Sequence, residues 1–475
     1  MVTGSKLPIR VLQFGSGNFL RCFVDWMIDI MNKQGIFNGS IIIVQSTRHG
    51  KADILNEQNG KYNVYLRGLE DGKAFNERYL IDSIAEAVDS NLHWDRLSTA
   101  VTNPDLRFIV SNTTEVGIRE DPTDSIEFKP PISFPGKLTK LLYDRFKFFN
   151  GVPERGFIIF PCELIDQNGE KLKQIVLSLA DRWKLGGDFE NWVRNANHFC
   201  NTLVDRIVPG FPVGRAAQIF QEIGYEDRLV SEGEIFHLWV IQAPPWIAKE
   251  FPAPEAGLNV QYVDEITPFR DRKVRILNGS HTLMTPVSYL FGIDTVKETI
   301  DHPLLGDFVQ KAVYEEIIPN LEMGQPELIS FAESVFFRFR NPYISHQLLN
   351  ISLNSISKFE TRVLPSLLCH AERTKSVPKR IAFSLACLLL FHKGVRNGVP
   401  FELRDEQYVL NYFSIGWNCV DRGEMTTEQF VVKTLSNHGL WKRDLTEIPE
   451  LTEVVVYYLG SIEKIGIGPT LAQIG

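Results

Sequence analysis

Lys273, Asn278 and His281 are residue types that can move a proton and hold a polarised oxygen, and they share one short segment, Arg272-Lys273-Val274-Arg275-Ile276-Leu277-Asn278-Gly279-Ser280-His281. On a helix at about 100° per residue they fall at roughly 0°, 140° and 80°, so all three can face one cleft. Such a set suits hydride transfer to a ketone. An amine with a lowered pKa delivers the proton as hydride arrives. An amide N–H and an imidazole orient the oxygen and stabilise the charge that develops on it. Arg272 and Arg275 flank the lysine, and like charge with partial burial in a domain cleft lowers an ammonium pKa. A basic surface helix with satisfied polar side chains has the same spacing, so spacing alone leaves both readings open.

A second feature sits near the N-terminus. Gly15-Ser16-Gly17 follows the apolar run Ile9 to Phe14 and opens an amphipathic helix from about Phe19 to Met31. The first glycine permits a tight turn, and the second lets backbone approach a pyrophosphate at the positive end of the helix. Leu20 stands where the usual fingerprint has a third glycine, and the second strand, Ile41 to Val44, ends in Gln45 rather than an acid for a ribose hydroxyl. Arg48, just beyond, could accept a 2′-phosphate, which leaves NADP open beside NAD. A plain strand-to-helix connection uses the same two glycines.

These groups need elements to position them. Apolar runs at Arg107 to Val110 and Gly156 to Phe160 alternate with helical stretches such as Leu138 to Phe149. That alternation predicts a doubly wound, mostly parallel sheet, a Rossmann-like α/β domain over 1–266. Tyr62 to Leu69 and Arg78 to Ile84 read as added antiparallel strands. After about residue 265 helical patterns dominate: Asp307 to Ile318, His346 to Phe359, Lys379 to Lys393 and Thr427 to Leu435. A mainly α-helical domain over 267–475 follows, entered through Asp264-Glu265-Ile266-Thr267-Pro268 with Thr267 as N-cap and Pro268 in the first turn.

The composition, 44% hydrophobic and 23% charged over 475 residues, suits a globular enzyme. A net charge of −8 argues against nucleic acid as a partner and requires local cations wherever an anion binds. The apolar run Ile381 to Phe391 falls short of the roughly 18 residues of a membrane span and reads as a buried helix. Residues 1–10 lack the apolar stretch of a secretory signal. The six cysteines form no CxxC pair and lie in largely apolar surroundings, which predicts reduced buried thiols in a cytoplasmic protein and no metal site.

Longer segments carry a family likeness. Gly15-Ser16-Gly17-Asn18-Phe19-Leu20-Arg21 with Lys273-x4-Asn278-x2-His281 resembles the long-chain polyol dehydrogenases, the mannitol dehydrogenase family. So do Phe19 to Trp26, Ser111 to Glu115, Pro161 to Asp166, Thr202 to Val208, and Arg338 to Ile344 followed by His346 to Leu349. The resemblance runs from about residue 8 into the C-terminal region. It implies metal-free, NADH-dependent, reversible reduction of a sugar acid's keto group, D-tagaturonate to D-altronate; charge and the short apolar runs, for their part, leave neither nucleic acid nor a membrane as an expected partner. Lys273 is then the general acid in reduction and base in oxidation, Asn278 polarises the carbonyl oxygen, and His281 orients the substrate. Gly15, Gly17, Asn18, Phe19, Gln45, Asn112 and Thr113 become the cofactor-binding candidates.

Mannitol-type members place a second oxyanion asparagine after a Cys-Asp pair, where this chain has Leu164 after Cys162-Glu163, so that donor is unassigned. A uronate also needs a cation for its carboxylate. Lys358 and Arg362, one helical turn apart, are the first candidates, with Arg340 and Arg21 behind them. His346 is a further substrate candidate and Asn341 a cleft candidate. Glu115 and Asp205 are candidates for the nicotinamide side or for holding Lys273. The alternatives are a relative acting on fructuronate or a neutral polyol, and a dinucleotide-binding sensor without catalysis. The complete Lys-Asn-His set argues against the last.

Overall fold

The structure, a computed structural model, describes residues 7–47, 50–70, 73–113, 117–343 and 346–474. The chain divides into two compact units, Met1–Ile266 and Thr267–Gly475.

The first unit is built on a six-stranded parallel sheet. Its strands are β1 (Ile9–Phe14), β2 (Ser40–Gln45), β5 (Ile84–Asp89), β6 (Phe108–Ser111), β7 (Ile158–Pro161) and β8 (His198–Phe199), in the order β5-β2-β1-β6-β7-β8. β2, β6 and β7 are buried along their whole length, as a parallel sheet covered on both faces requires. Successive residues divide between two cores. Val11, Ile41, Ile43, Phe108 and Val110 point to one side, and Leu12, Phe14, Ile42, Val44 and Ile109 to the other. The chain leaves β1 for β2 on one side and returns to β6 on the other, so the crevice for a ligand opens at the carboxyl ends of β1 and β6.

Added strands differ in part from the sequence expectation. β3 (Tyr62–Glu70) and β4 (Lys73–Ile81) do form an antiparallel pair, extended by β10 (Ser231–Glu234) parallel to β3. The run predicted to end at Ile84 splits, however, because Ile84 opens β5 and pairs with Ile41 in the main sheet. A third sheet, unforeseen in the sequence, joins β9 (Asn201–Asp205), β11 (Leu238–Gln242) and β12 (Val260–Val263).

The helix after β1 is also two pieces, α1 (Asn18–Cys22) and α2 (Val24–Lys33), broken at Phe23 with φ −123° and ψ −80°. The break leaves the Cys22 carbonyl to accept from Arg206 Nη1 and lets the Phe23 ring pack 5.6 Å from Trp239. α3 (Phe134–Phe148) and α4 (Asn168–Arg182) cover the sheet.

The second unit is helical apart from a short pairing of Val395–Arg396 with Val399–Pro400. The site depends on α5 (Thr267–Arg272), α6 (Gly279–Phe291), α7 (Gln325–Phe339) and α8 (Ser355–Arg362). α9 (Lys379–Phe391) is the buried axle that the apolar run predicted, packed between α6 and helix Leu451–Ile465. The helix expected from His346 to Phe359 is interrupted at Asn354, whose φ of 52° separates helix Leu348–Ile351 from α8. The stretch expected from Asp307 to Ile318 likewise changes from an α-helix, Pro303–Lys311, to a π turn, Ala312–Ile317. Among the described residues no helix is long and apolar enough to cross a membrane. All six cysteines are free thiols, but Cys369 is exposed and Cys419 half-exposed, against the expectation that all are buried.

Candidate active site

In the first unit the glycine turn opens onto a cavity of about 530 Å³. Gly15 has φ +129°, and a Cβ there would stand 3.0 Å from the Asn112 carbonyl, so the turn requires glycine on both counts. Gly17 differs: a Cβ there would meet nothing within 4 Å, which leaves backbone open to a ligand at the start of α1. Ser16, Asn18, Gln45, Asn112 and Thr113 line the same cavity. Lys51 and Arg119 add cations at its wall. A concave backbone surface with hydroxyls, amides and cations fits a dinucleotide pyrophosphate and ribose. Arg48 and Glu115 lie outside the described residues.

Three candidates are engaged otherwise. Phe19 packs on the core, stacked 5.0 Å from Phe23, rather than lining the cavity. Arg21 touches the cavity, but Nη1 and Nη2 of its guanidinium are engaged inside the protein. It donates to the Ser16 carbonyl at 2.8 Å, Asn18 Oδ1 at 2.5 Å and Ser231 Oγ at 3.0 Å, bracing the turn from beneath. Gln45 presents no spare amide: Oε1 accepts from Ala52 N at 2.9 Å and Nε2 donates to Asp89 Oδ2 at 2.9 Å.

The ends of β6 and β7 are tied by Glu163, which is almost fully buried. Its carboxylate accepts from Ser111 Oγ at 3.0 Å, Thr113 N at 2.9 Å and Thr113 Oγ1 at 3.0 Å. Burial raises its pKa and these bonds oppose the shift. Leu164 is exposed, and the nearby Asn168 spends its Nδ2 on the Pro161, Glu163 and Thr202 carbonyls. Asn168 therefore has no N–H left to serve as the missing oxyanion donor. Asp205 is buried in β9.

In the second unit the three residues of the Lys-Asn-His set lie on one helical rod, but not an ordinary one. Lys273–Asn278 is a π turn between α5 and α6, and the Gly279 N–H reaches back to the Val274 carbonyl, five residues earlier. The reading at about 100° per residue put Lys273 and Asn278 some 140° apart. An i→i+5 turn is wider, so Asn278 comes round close to the face of Lys273, and His281 follows three residues on. Single π turns cluster at functional sites for this reason. Hydroxyls serve the carbonyls that the wide turn loosens: Ser280 Oγ donates to Ile276 O at 2.5 Å and Thr282 Oγ1 to Asn278 O at 2.9 Å.

Lys273 is buried, while Arg272 beside it pairs with Glu327 at 2.6 Å. The like charge expected from Arg272 is thus largely offset. His281 stacks on Phe339 at 4.4 Å and meets His346 edge-on at 4.8 Å. Burial first, then the charges of His346, Arg338, Arg362 and Lys358, hold its pKa well below the ordinary value, so the imidazole is neutral. His281 Nε2 and Asn278 Oδ1 are both buried with no hydrogen-bond partner. Buried polar atoms are almost always satisfied, and these two orphans, Asn278 Oδ1 being an acceptor, mark where a substrate's hydroxyls fit.

Lys358 and Arg362, the first candidates for the carboxylate, lie on α8 where their charges bear on His281, and Lys358 Nζ donates to the Ile351 carbonyl at 2.8 Å. His346 belongs to the same cluster, its pKa lowered by burial and by Lys358. Arg340 does not: it is exposed and faces Asp301 at 3.6 Å, an ion pair worth about 0–1 kcal/mol. The arginine that does approach His281 is Arg338, two residues earlier and buried at the end of α7. Sequence reading missed it and the Phe339 stack, although both belong to the segment that carried the family likeness. Asn341 is buried and accepts from Tyr343 N at 3.0 Å.

Two family models match the chain, one described as the mannitol dehydrogenase Rossmann domain over residues 9–253 and one as the mannitol dehydrogenase C-terminal domain over 265–463. An altronate oxidoreductase of Bacillus subtilis (strain 168) is 45% identical, over 99% of this chain and 96% of its own length. One of Yersinia enterocolitica is 42% identical over 99% and 97%. Among solved structures, the ternary complex of Pseudomonas fluorescens mannitol 2-dehydrogenase with NAD and D-mannitol superposes with a TM-score of 0.76 at 22% identity, over 98% of this chain and 94% of that one. A substrate-free D-sorbitol dehydrogenase gives 0.80 at 20% identity, over 98% and 95%. At such identities the solved structures speak for the fold.

Proposed function

Because the chain belongs to the mannitol dehydrogenase family, we propose that it is an NAD-dependent oxidoreductase that interconverts D-tagaturonate and D-altronate. The observation that carries this reading is identity of 41–45% to altronate oxidoreductases along nearly the whole chain. The glycine-turn cavity holds the cofactor, with the pyrophosphate at Gly15–Asn18 and the ribose and nicotinamide toward Gln45, Asn112 and Thr113. NADH supplies the hydride when bound.

The chain's own groups do the rest. Lys273 gives a proton from Nζ to the substrate oxygen in reduction and takes it back in oxidation. The Asn278 amide meets that oxygen, Nδ2–H polarising it as a carbonyl and the unpartnered Oδ1 accepting from it as a hydroxyl, and His281, being neutral, donates or accepts at Nε2 according to which hydroxyl it meets. Lys358 and Arg362 hold the carboxylate, with Arg338 adding positive potential. These cations favour an acid over a neutral polyol in a chain whose net charge is −8. Six free thiols suit a reducing compartment, and we place the enzyme in the cytoplasm.

The test is NADH oxidation with tagaturonate, fructuronate and fructose at equal concentration. Tagaturonate is expected to turn over fastest, and faster turnover of either rival overturns the substrate. A sensor would bind NADH and turn over none of them.

A further inference from the structure

Asp25 lies on α2 within the segment Phe19 to Trp26, and the cavity lining does not account for it. It is fully buried. Its Oδ2 accepts from the Tyr62 hydroxyl at 2.7 Å, while Oδ1 is buried without a hydrogen-bond partner. Gln13, on β1 and equally buried, lies against this carboxyl. Gln13 Nε2 donates to the Gly15 carbonyl at 3.2 Å, and its Oε1 is buried without a partner too.

Two neighbouring groups are thus left with one unsatisfied acceptor each, and the one orphan donor of Arg21, its buried Nε, bonds to neither. An ionised carboxylate satisfies neither, and each buried orphan costs about 1–3 kcal/mol, more when charged. One proton on Oδ1 satisfies both, because the acid O–H then donates to Oε1. Burial and the nearby Asp29 favour that proton, while the Tyr62 hydroxyl, the Gln13 amide and the Arg21 charge favour the ionised form. Tyr62 faces the carboxyl from β3, Gln13 from β1, Arg21 and Cys22 from α1, and Asp29 from α2 itself. Arg21 directs Nη1 and Nη2 at Ser16, Asn18 and Ser231 instead of forming an ion pair with Asp25.

We propose that Asp25 is a positioning residue held as the neutral acid, whose proton lets Gln13 keep its N–H on the Gly15 carbonyl and so sets the glycine turn for the cofactor. When Asp25 ionises, one proton passes to solvent and the carboxylate can only accept. The Gln13 amide then turns over to donate Nε2–H to Oδ1, and the Gly15 carbonyl loses its donor. Burial raises the pKa of this acid to about 7, which puts the change near neutrality. The role rests on the reading of the cavity as a dinucleotide site.

The experiment uses the full-length protein. Infrared titration without cofactor is expected to show a carboxylic-acid carbonyl band below neutrality that fades above it and is missing in Asp25→Asn. Fluorescence titration with NADH is expected to give affinity that weakens by up to tenfold per pH unit above the midpoint in wild type. In Asp25→Asn, whose amide mimics the neutral acid, affinity should be flat. A wild-type slope in that variant, or no such band, overturns the proposal. Should Asp25→Asn fail to fold, Tyr62→Phe removes a donor to the ionised form and must move the midpoint upward; an unmoved midpoint also overturns it. Failure to bind NADH at any pH overturns the dinucleotide reading and with it the role at the turn, while the band still tells whether Asp25 carries the proton.

Discussion

The Arg362 carbonyl stands 3.2 Å from where a Cβ on Gly279 would lie. The rod carrying Lys273, Asn278 and His281 therefore touches, backbone to backbone, the end of the helix carrying Lys358 and Arg362. Replacing Gly279 with alanine forces the two apart. The expected cost is about 1–3 kcal/mol of stability, from overpacking against an atom that cannot rotate away. Thermal unfolding measures that cost, and an unchanged Tm would mean the contact is slack.

Lys273→Ala is expected to lower kcat by about 10²–10⁴, the range that general acid–base catalysis supplies. NADH affinity, measured by fluorescence, should hold. Full activity in this variant removes the lysine from the mechanism.

Lys358→Ala and Arg362→Ala are expected to raise KM for tagaturonate roughly tenfold or more each, a charged hydrogen bond being worth about 1.5–3 kcal/mol. Residual activity on fructose, which has no carboxylate, should change little. Equal loss on both substrates would assign these cations to folding instead.

His281 gives a pH prediction with a definite sign. Its folded pKa lies well below its unfolded value of about 6.5, so the unfolded chain binds more protons between the two. The neutral imidazole's contribution to stability is present above pH ~6.5 and declines as pH falls toward the folded pKa. Denaturant midpoints measured from pH ~7 downward should fall less steeply in His281→Gln than in wild type.

Asp405 accepts from Ser355 Oγ at 3.3 Å and Ile356 N at 3.3 Å and lies 3.4 Å from His392 Nε2, so a buried carboxylate caps the start of α8. Asp405→Ala strips His392 of its acidic partner. Breaking a buried pair costs about 3–5 kcal/mol. A loss of unfolding free energy in urea under a quarter of that would argue against a charged pair.

Some of this was legible in the sequence because the physics is local. Gly15 marks a backbone angle that few residues adopt, and the apolar runs of β1 and β2 announce strands buried on both faces. The boundary at Thr267 follows from the change of periodicity there. What could not be read depends on neighbours far along the chain. Arg338 and Arg340 look equivalent as letters, and only the packing of α7 decides which one meets His281. Phe19 belongs to a cofactor motif yet packs inward, because Phe23 and Trp239 wait for it in the core. Gln45 looked like an absent acid, whereas Asp89 from the adjacent strand stands behind it. Residues 273–278 keep a helical pattern while their hydrogen bonds shift to a wider turn, a change no apolar stripe records.

That wider turn amounts to one residue too many in a rod that is otherwise regular. On a regular helix, one residue fewer between Val274 and Leu277 would put Lys273 four positions before the asparagine and seven before the histidine, about 40° and 20° away. The wider turn absorbs the extra residue, so the three side chains keep a common face in spite of it.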